Sequence, residues 1–89
     1  MRKFEIKPSL HKKLVKLSKK DKVSFESVMK KIDEVVNTAD IEHYKNLRYD
    51  MKESKRVHIG HHVLIFSYNK ENDFVSFEDY DHHDKIYFR

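Results

Sequence analysis

Cysteine is absent from this 89-residue chain, which excludes a disulfide framework and any thiolate-ligated zinc site. Glycine occurs once, at Gly60, and proline once, at Pro8. A single glycine cannot build the Gly-rich loop that wraps phosphates in nucleotide-binding folds. Neither a Ser-nucleophile motif nor the HExxH spacing of a zinc protease is present. No stretch approaches the roughly 20 consecutive apolar residues of a membrane span. The opening residues MRKFEIKPSL lack the apolar centre of a secretion signal, so a cytoplasmic protein with no membrane association is expected.

What remains is small and highly charged. Hydrophobic and charged residues each make up 38% of the chain. One domain spanning residues 1–89 is expected, with a thin core that a partner burying more surface would help to stabilise. The charge is unevenly spread: residues 1–56 carry 16 Lys/Arg against 9 Asp/Glu, and residues 57–89 carry 3 against 6. Five of the seven histidines lie in that acidic second part. A basic front half suits a polyanion or an acidic protein partner, and equally an ordinary lysine-rich surface.

Phe4–Glu5–Ile6 alternates as a short strand before Pro8. Leu10, Leu14 and Leu17 then follow at helical spacing, with Lys12, Lys13, Lys16, Lys19 and Lys20 on the opposite side. That lysine stripe reads either as a binding face or as a solvated helix face. Asp21 is a candidate N-cap for a second helix, whose apolar residues Phe25, Val28, Met29, Ile32, Val35 and Val36 form one stripe. The two helices make a hairpin turning at residues 19–21.

Residues 41–53 have weak periodicity and read as loop with one helical turn. Tyr44, Leu47, Tyr49 and Met51 anchor it, and Lys45, Arg48 and Lys52 face outward. Basic residues interleaved with aromatics can hold phosphates and stack bases, or can simply belong to a loop pinned to the core. From Ser54 the pattern becomes β. Gly60–His61 fits a two-residue hairpin turn, which sets Ile59 opposite His62 and His58 opposite Val63. Arg56, His58, Val63 and Ile65 then share one face. Residues 63–66 are apolar on both sides, as in a central strand. Residues 74–80 form the next strand, and 85–88 read as a short terminal one. The class is α+β: an N-terminal helical hairpin packed on one face of a small, mostly antiparallel curved sheet.

Arg56, His58, His82, His83 and Tyr87 can move protons or stabilise anions. Histidine titrates near neutral pH, as general acid–base work requires. The pairs His61–His62 and His82–His83, with Asp81 or Asp84, could alternatively ligate a metal. Adjacent residues on a strand point to opposite faces, however, so such pairs rarely chelate one ion, and no dedicated metal site or cofactor is expected. His61, His62 and His82 can also be plain turn residues.

The order of these features resembles the RelE toxins of the RelE/ParE superfamily. The similarity rests on Lys45 and Arg48 in K-x-L-R, on Arg56-Val57-His58-Ile59-Gly60, on Val63 to Phe66, and on the terminal Asp81-His82-His83-Asp84-Lys85-Ile86-Tyr87. The resemblance implies a toxin of a toxin–antitoxin pair that enters the ribosomal A site and cuts the bound mRNA. The expected products are a 2′,3′-cyclic phosphate and a 5′-OH. A RelB-type antitoxin would hold the toxin inactive, and only the complex would bind operator DNA. The basic strand of the family matches Arg56 and His58, its terminal tyrosine matches Tyr87, and its terminal basic cluster matches His82 and His83. Lys45, Arg48, Lys52 and Lys55 would hold RNA backbone. The family commonly has an arginine near the start of the central strand where this chain has Val63. Two alternatives remain open: a ParE-like inhibitor of DNA gyrase, and a degenerate member that only binds antitoxin or operator.

Overall fold

The computed structural model describes residues 1–47 and 54–87, the side chain of Tyr87 excepted. Lys3–Ile6 forms strand β1, and the chain turns at Pro8 directly into helix α1, Pro8–Lys20. Proline is suited to a first helical turn, where its missing N–H has no partner to lose. Helix α2 is Lys22–Asn37. Asp21 caps it as expected: its carboxylate accepts from the Ser24 backbone N–H at 3.1 Å and from the Ser24 hydroxyl at 2.6 Å. A 3-10 turn at Ile41–His43 follows.

Three antiparallel strands complete the sheet: β2, Ser54–Ile59; β3, His62–Asn69; and β4, Phe74–His82. The order across the sheet is β1-β4-β3-β2, with β1 parallel to β4. The β2–β3 turn has two residues, and Gly60 takes the positive φ of +63° that a side chain would resist. Ile59 therefore pairs with His62 and His58 with Val63, the register read from the sequence. Between Ile65 and Phe66 the β3–β4 register slips by one residue, leaving Glu78 as the extra residue of a bulge. A bulge bends and twists the strand that carries it, which curves the sheet.

The main core lies between the helical hairpin and one sheet face. Leu10 and Leu14 of α1 and Val28, Ile32, Val35 and Val36 of α2 pack on Leu64, Phe66, Val75, Phe77 and Tyr80. Val57 and Ile59 of β2 join this cluster. Period-two alternation then turns Arg56 and His58 to the opposite face.

The C-terminal segment differs from expectation. β4 runs two residues further than Tyr80, and the chain then forms a short helix, α3, His83–Tyr87, in place of a terminal strand. The reason is apolar burial on the second sheet face. Val63 and Ile65 point there, and a strand continuing beside β4 would leave them bare. The helical turn brings Ile86 back over them, and Ile86, Val63 and Ile65 form a second buried cluster with Leu47 against it. The turn begins with the His82 ring accepting the Asp84 backbone N–H at 3.2 Å and the His83 N–H donating to His61 O at 2.9 Å. Among the described residues no helix is long and apolar enough to cross a membrane.

Candidate active site

The second sheet face gathers a group of cations and imidazoles around β2. The segment leading from the 3-10 turn pairs along the outer edge of that strand. Arg56 N–H donates to Lys45 O at 2.9 Å, Leu47 N–H donates to Ser54 O at 2.8 Å, and Asn46 and Lys55 form a bridge between them. Lys45 is thereby held beside Arg56. Two residues on, His58 projects over Val63. His83, the first residue of α3, comes from the end of β4, two strands away at the same end of the sheet. The rings of His58 and His83 stack, with centroids 5.6 Å apart and planes 29° from parallel.

This crowding has an electrostatic consequence. The pKa of His58 lies below the ordinary 6.5, first because the packed surface beneath the ring removes hydration, then because Arg56, His83 and Lys45 repel a further positive charge. A neutral imidazole beside fixed cations is what a general base for a polyanionic substrate needs: it accepts a proton while its neighbours hold the phosphate. His83 has a carboxylate beside it, Asp84 Oδ1, 3.5 Å from its Nδ1.

Of the five residues singled out for proton transfer and anion stabilisation, Arg56, His58 and His83 come together. His82 does not join them. It pairs with His62 across the β3–β4 ladder, lies edge-on to the His62 ring at 5.5 Å and stacks with His61 at 6.5 Å. One residue of strand alternation separates it from His83, so the adjacent histidines serve opposite faces. The Tyr87 side chain lies outside the described residues.

Among the four candidate phosphate-binding residues, Lys45 stands at the site, exposed, and Arg48 and Lys52 lie outside the described residues. Lys55 departs from expectation. It alternates with Arg56 and so turns inward, where its buried ammonium donates to Tyr44 O and to Asn46 Oδ1, both at 3.3 Å, with Glu42 at 3.7 Å. Lys55 anchors the loop that positions Lys45. Asp84 was not read as part of this group from sequence; its place directly after His83 in the terminal motif is the signal that could have found it. Val63, at the position where an arginine was noted as usual, is fully buried and forms part of the apolar floor. Among the described residues no three His, Asp or Glu side chains converge as metal ligands do.

No protein-family model matches the chain. It is 48% identical over 88 residues to a candidate toxin named RelE4 from Methanocaldococcus jannaschii, covering 98% of this chain and 92% of the relative. It is 46% identical over 85 residues to an uncharacterized protein of Methanosarcina mazei, covering 94% and 96%. Two solved structures share the fold at low identity. YafQ from E. coli superimposes with a TM-score of 0.70 at 17% identity, over 98% of this chain and 99% of YafQ. A chain of the toxin–antitoxin complex RelBE2 from Mycobacterium tuberculosis superimposes with a TM-score of 0.59 at 15% identity, over 92% and 98%.

Proposed function

The chain belongs to the RelE toxin family, and from that premise we propose that it is an endoribonuclease that cuts mRNA in the ribosomal A site. The observation that carries the reading is the stacked His58–His83 pair set beside Arg56 and Lys45. Cleavage by attack of the substrate's own 2′-OH needs a base, an acid and cations for the phosphorane, and this group supplies each from its side chains.

The step balances as follows. Neutral His58 takes the 2′-OH proton, and O2′ forms a bond to phosphorus. Negative charge builds on the non-bridging oxygens, where Arg56 and Lys45 stabilise it. The P–O5′ bond breaks, and His83, held by Asp84, gives a proton to the leaving oxygen. The products are a 2′,3′-cyclic phosphate and a 5′-OH. Tyr87, at the end of α3, is the residue we assign to positioning the 2′-OH or the base. A RelB-type antitoxin is the proposed inhibitor, supported by the structural likeness to a chain of the RelBE2 complex, and operator DNA would be bound only by the pair.

A reconstituted translation system tests this reading, with cut sites mapped in the presence and absence of ribosomes. Cuts at A-site codons that require ribosomes, lost in His58→Ala and diminished in Tyr87→Phe while both variants stay folded, are expected. A folded wild-type chain that cleaves nothing would overturn the proposal, and a gyrase supercoiling assay would then separate a ParE-like inhibitor from a chain that only binds.

A further inference from the structure

Behind the sheet, on the side of α1, lies a cleft of about 470 Å³ that takes no part in the proposed chemistry. Lys13, Lys16 and Lys20 line one wall and Lys85 of α3 another, with His62 and Tyr80 at the floor. We propose that this cleft is a second RNA-binding groove, which holds the phosphodiester backbone on its lysines and stacks one base on His62. The proposal rests on the reading that RNA is the substrate, and it adds a second place where RNA is held.

Three observations support it. The first is unbalanced charge. Among the described residues Asp81 is the one carboxylate lining the cleft, and Lys13 already holds it at 3.1 Å while reaching Asp79 at 2.7 Å. Lys16 and Lys20 are exposed and enter no ion pair among the described residues, and Lys85 is exposed and attracts Asp81 only at longer range. Three like charges converging on one hollow raise the potential there and attract a polyanion. The second is the floor. His62 lies flat on Tyr80, centroids 5.0 Å apart and planes 14° from parallel, and its ring is half-exposed. A half-exposed ring backed by Tyr80 and flanked by His82 forms an aromatic platform that suits a nucleobase, and an acidic peptide makes less use of it. The third is continuity. His83 and Lys85 are two positions apart on α3, so one helical turn directs His83 to the candidate active site and Lys85 to the cleft. An RNA strand passing the end of α3 can touch both.

The probe is a short fluorescein-labelled 2′-O-methyl RNA, which cannot be cleaved, titrated with the folded protein by anisotropy at several salt concentrations. Changing Lys16, Lys20 and Lys85 together to Gln is expected to weaken binding at least tenfold and to reduce the salt slope by about two. His62→Ala is expected to weaken it about fivefold or more, and His62→Phe to restore it, since stacking needs only the ring face. A charge-matched control, with Lys3, Lys22 and Lys30 changed to Gln, is expected to bind nearly as the wild type does. Equal losses in both triple variants would reduce the effect to net charge and overturn the groove. So would unchanged binding in the cleft variants, or capture of poly-glutamate, but not of RNA, through the same lysines. Because the probe reads binding without chemistry, the two proposals fail separately. Ribosome-dependent cleavage by a protein that ignores the probe removes the groove alone. Cleft-dependent binding by a protein that cleaves nothing removes the nuclease alone.

Discussion

His58 shows how a single position is set by what stands around it. Its lowered pKa comes first from lost hydration and then from Arg56, His83 and Lys45. Arg56→Gln removes one repulsion and leaves the packing, so the His58 pKa should rise part of the way back toward 6.5. An NMR titration of the imidazole checks this, and an unmoved or lowered value would contradict it. The same shift ties His58 to stability. Between its lowered folded pKa and the unfolded value of 6.5, the unfolded chain binds more protons. The contribution is therefore complete above pH 6.5 and is lost as the pH falls through the folded value. Lys55 is the contrasting case. Lys55→Met removes the donor to Tyr44 O and Asn46, and it should cost about 1–3 kcal/mol. The loss should appear as a lower urea midpoint, together with faster amide exchange at Leu47 and Arg56; an unchanged midpoint would show that the ammonium contributes nothing.

Among the elements, α3 depends most on its surroundings. Five residues are too few for a helix to persist alone, since nucleation costs more than one turn returns. Ile86 supplies the compensation by covering Val63 and Ile65, and the His83 N–H bond to His61 O ties the start of the turn. Ile86→Ala should therefore cost about 2–4 kcal/mol and free α3 from the sheet. Because α3 carries His83, the ring contact with His58 should be lost as well. Nuclear Overhauser effects between the two imidazoles measure that directly, and their survival in the variant would mean that α3 is held by something other than Ile86.

At the scale of the molecule, the division of labour is between two sheet faces. One face holds nearly all the apolar core, and the other holds the small Val63–Ile65–Ile86 cluster with the cations around it. A domain of this size keeps only about 5–15 kcal/mol of stability. Phe66 is completely buried in the main core, against Tyr44 and Phe77, and Phe66→Ala should cost about 3–5 kcal/mol. Such a variant should populate unfolded chain at ambient temperature, seen as lost near-ultraviolet dichroism. A binding partner should restore the signal, because any ligand of the folded state stabilises it by mass action. A variant that unfolds no more easily than the wild type would show that the core tolerates the cavity.

Periodicity determined much of this without help from tertiary structure. The 3.6-residue stripes of Leu10–Leu14–Leu17 and Val28–Ile32–Val35 can bury only as helices, and Asp21 can only cap the second of them. Gly60 compels a two-residue turn, and that turn decides the register that puts Arg56 and His58 on one face. The likeness to RelE toxins is likewise written in the chain itself. Other features were settled only by folding. Residues 83–87 carry no periodic signal long enough to separate strand from helix, and the need to cover Val63 and Ile65 chose the helix. That choice sent His83 to His58 and left His82 with His61 and His62, a separation that adjacent identical residues cannot announce. Lys55 looked like one more surface lysine until alternation along β2 turned it toward the carbonyl of Tyr44. In each case the deciding contact joins residues far apart in sequence, where local pattern carries no information about which side chain will be buried and which will meet the ligand.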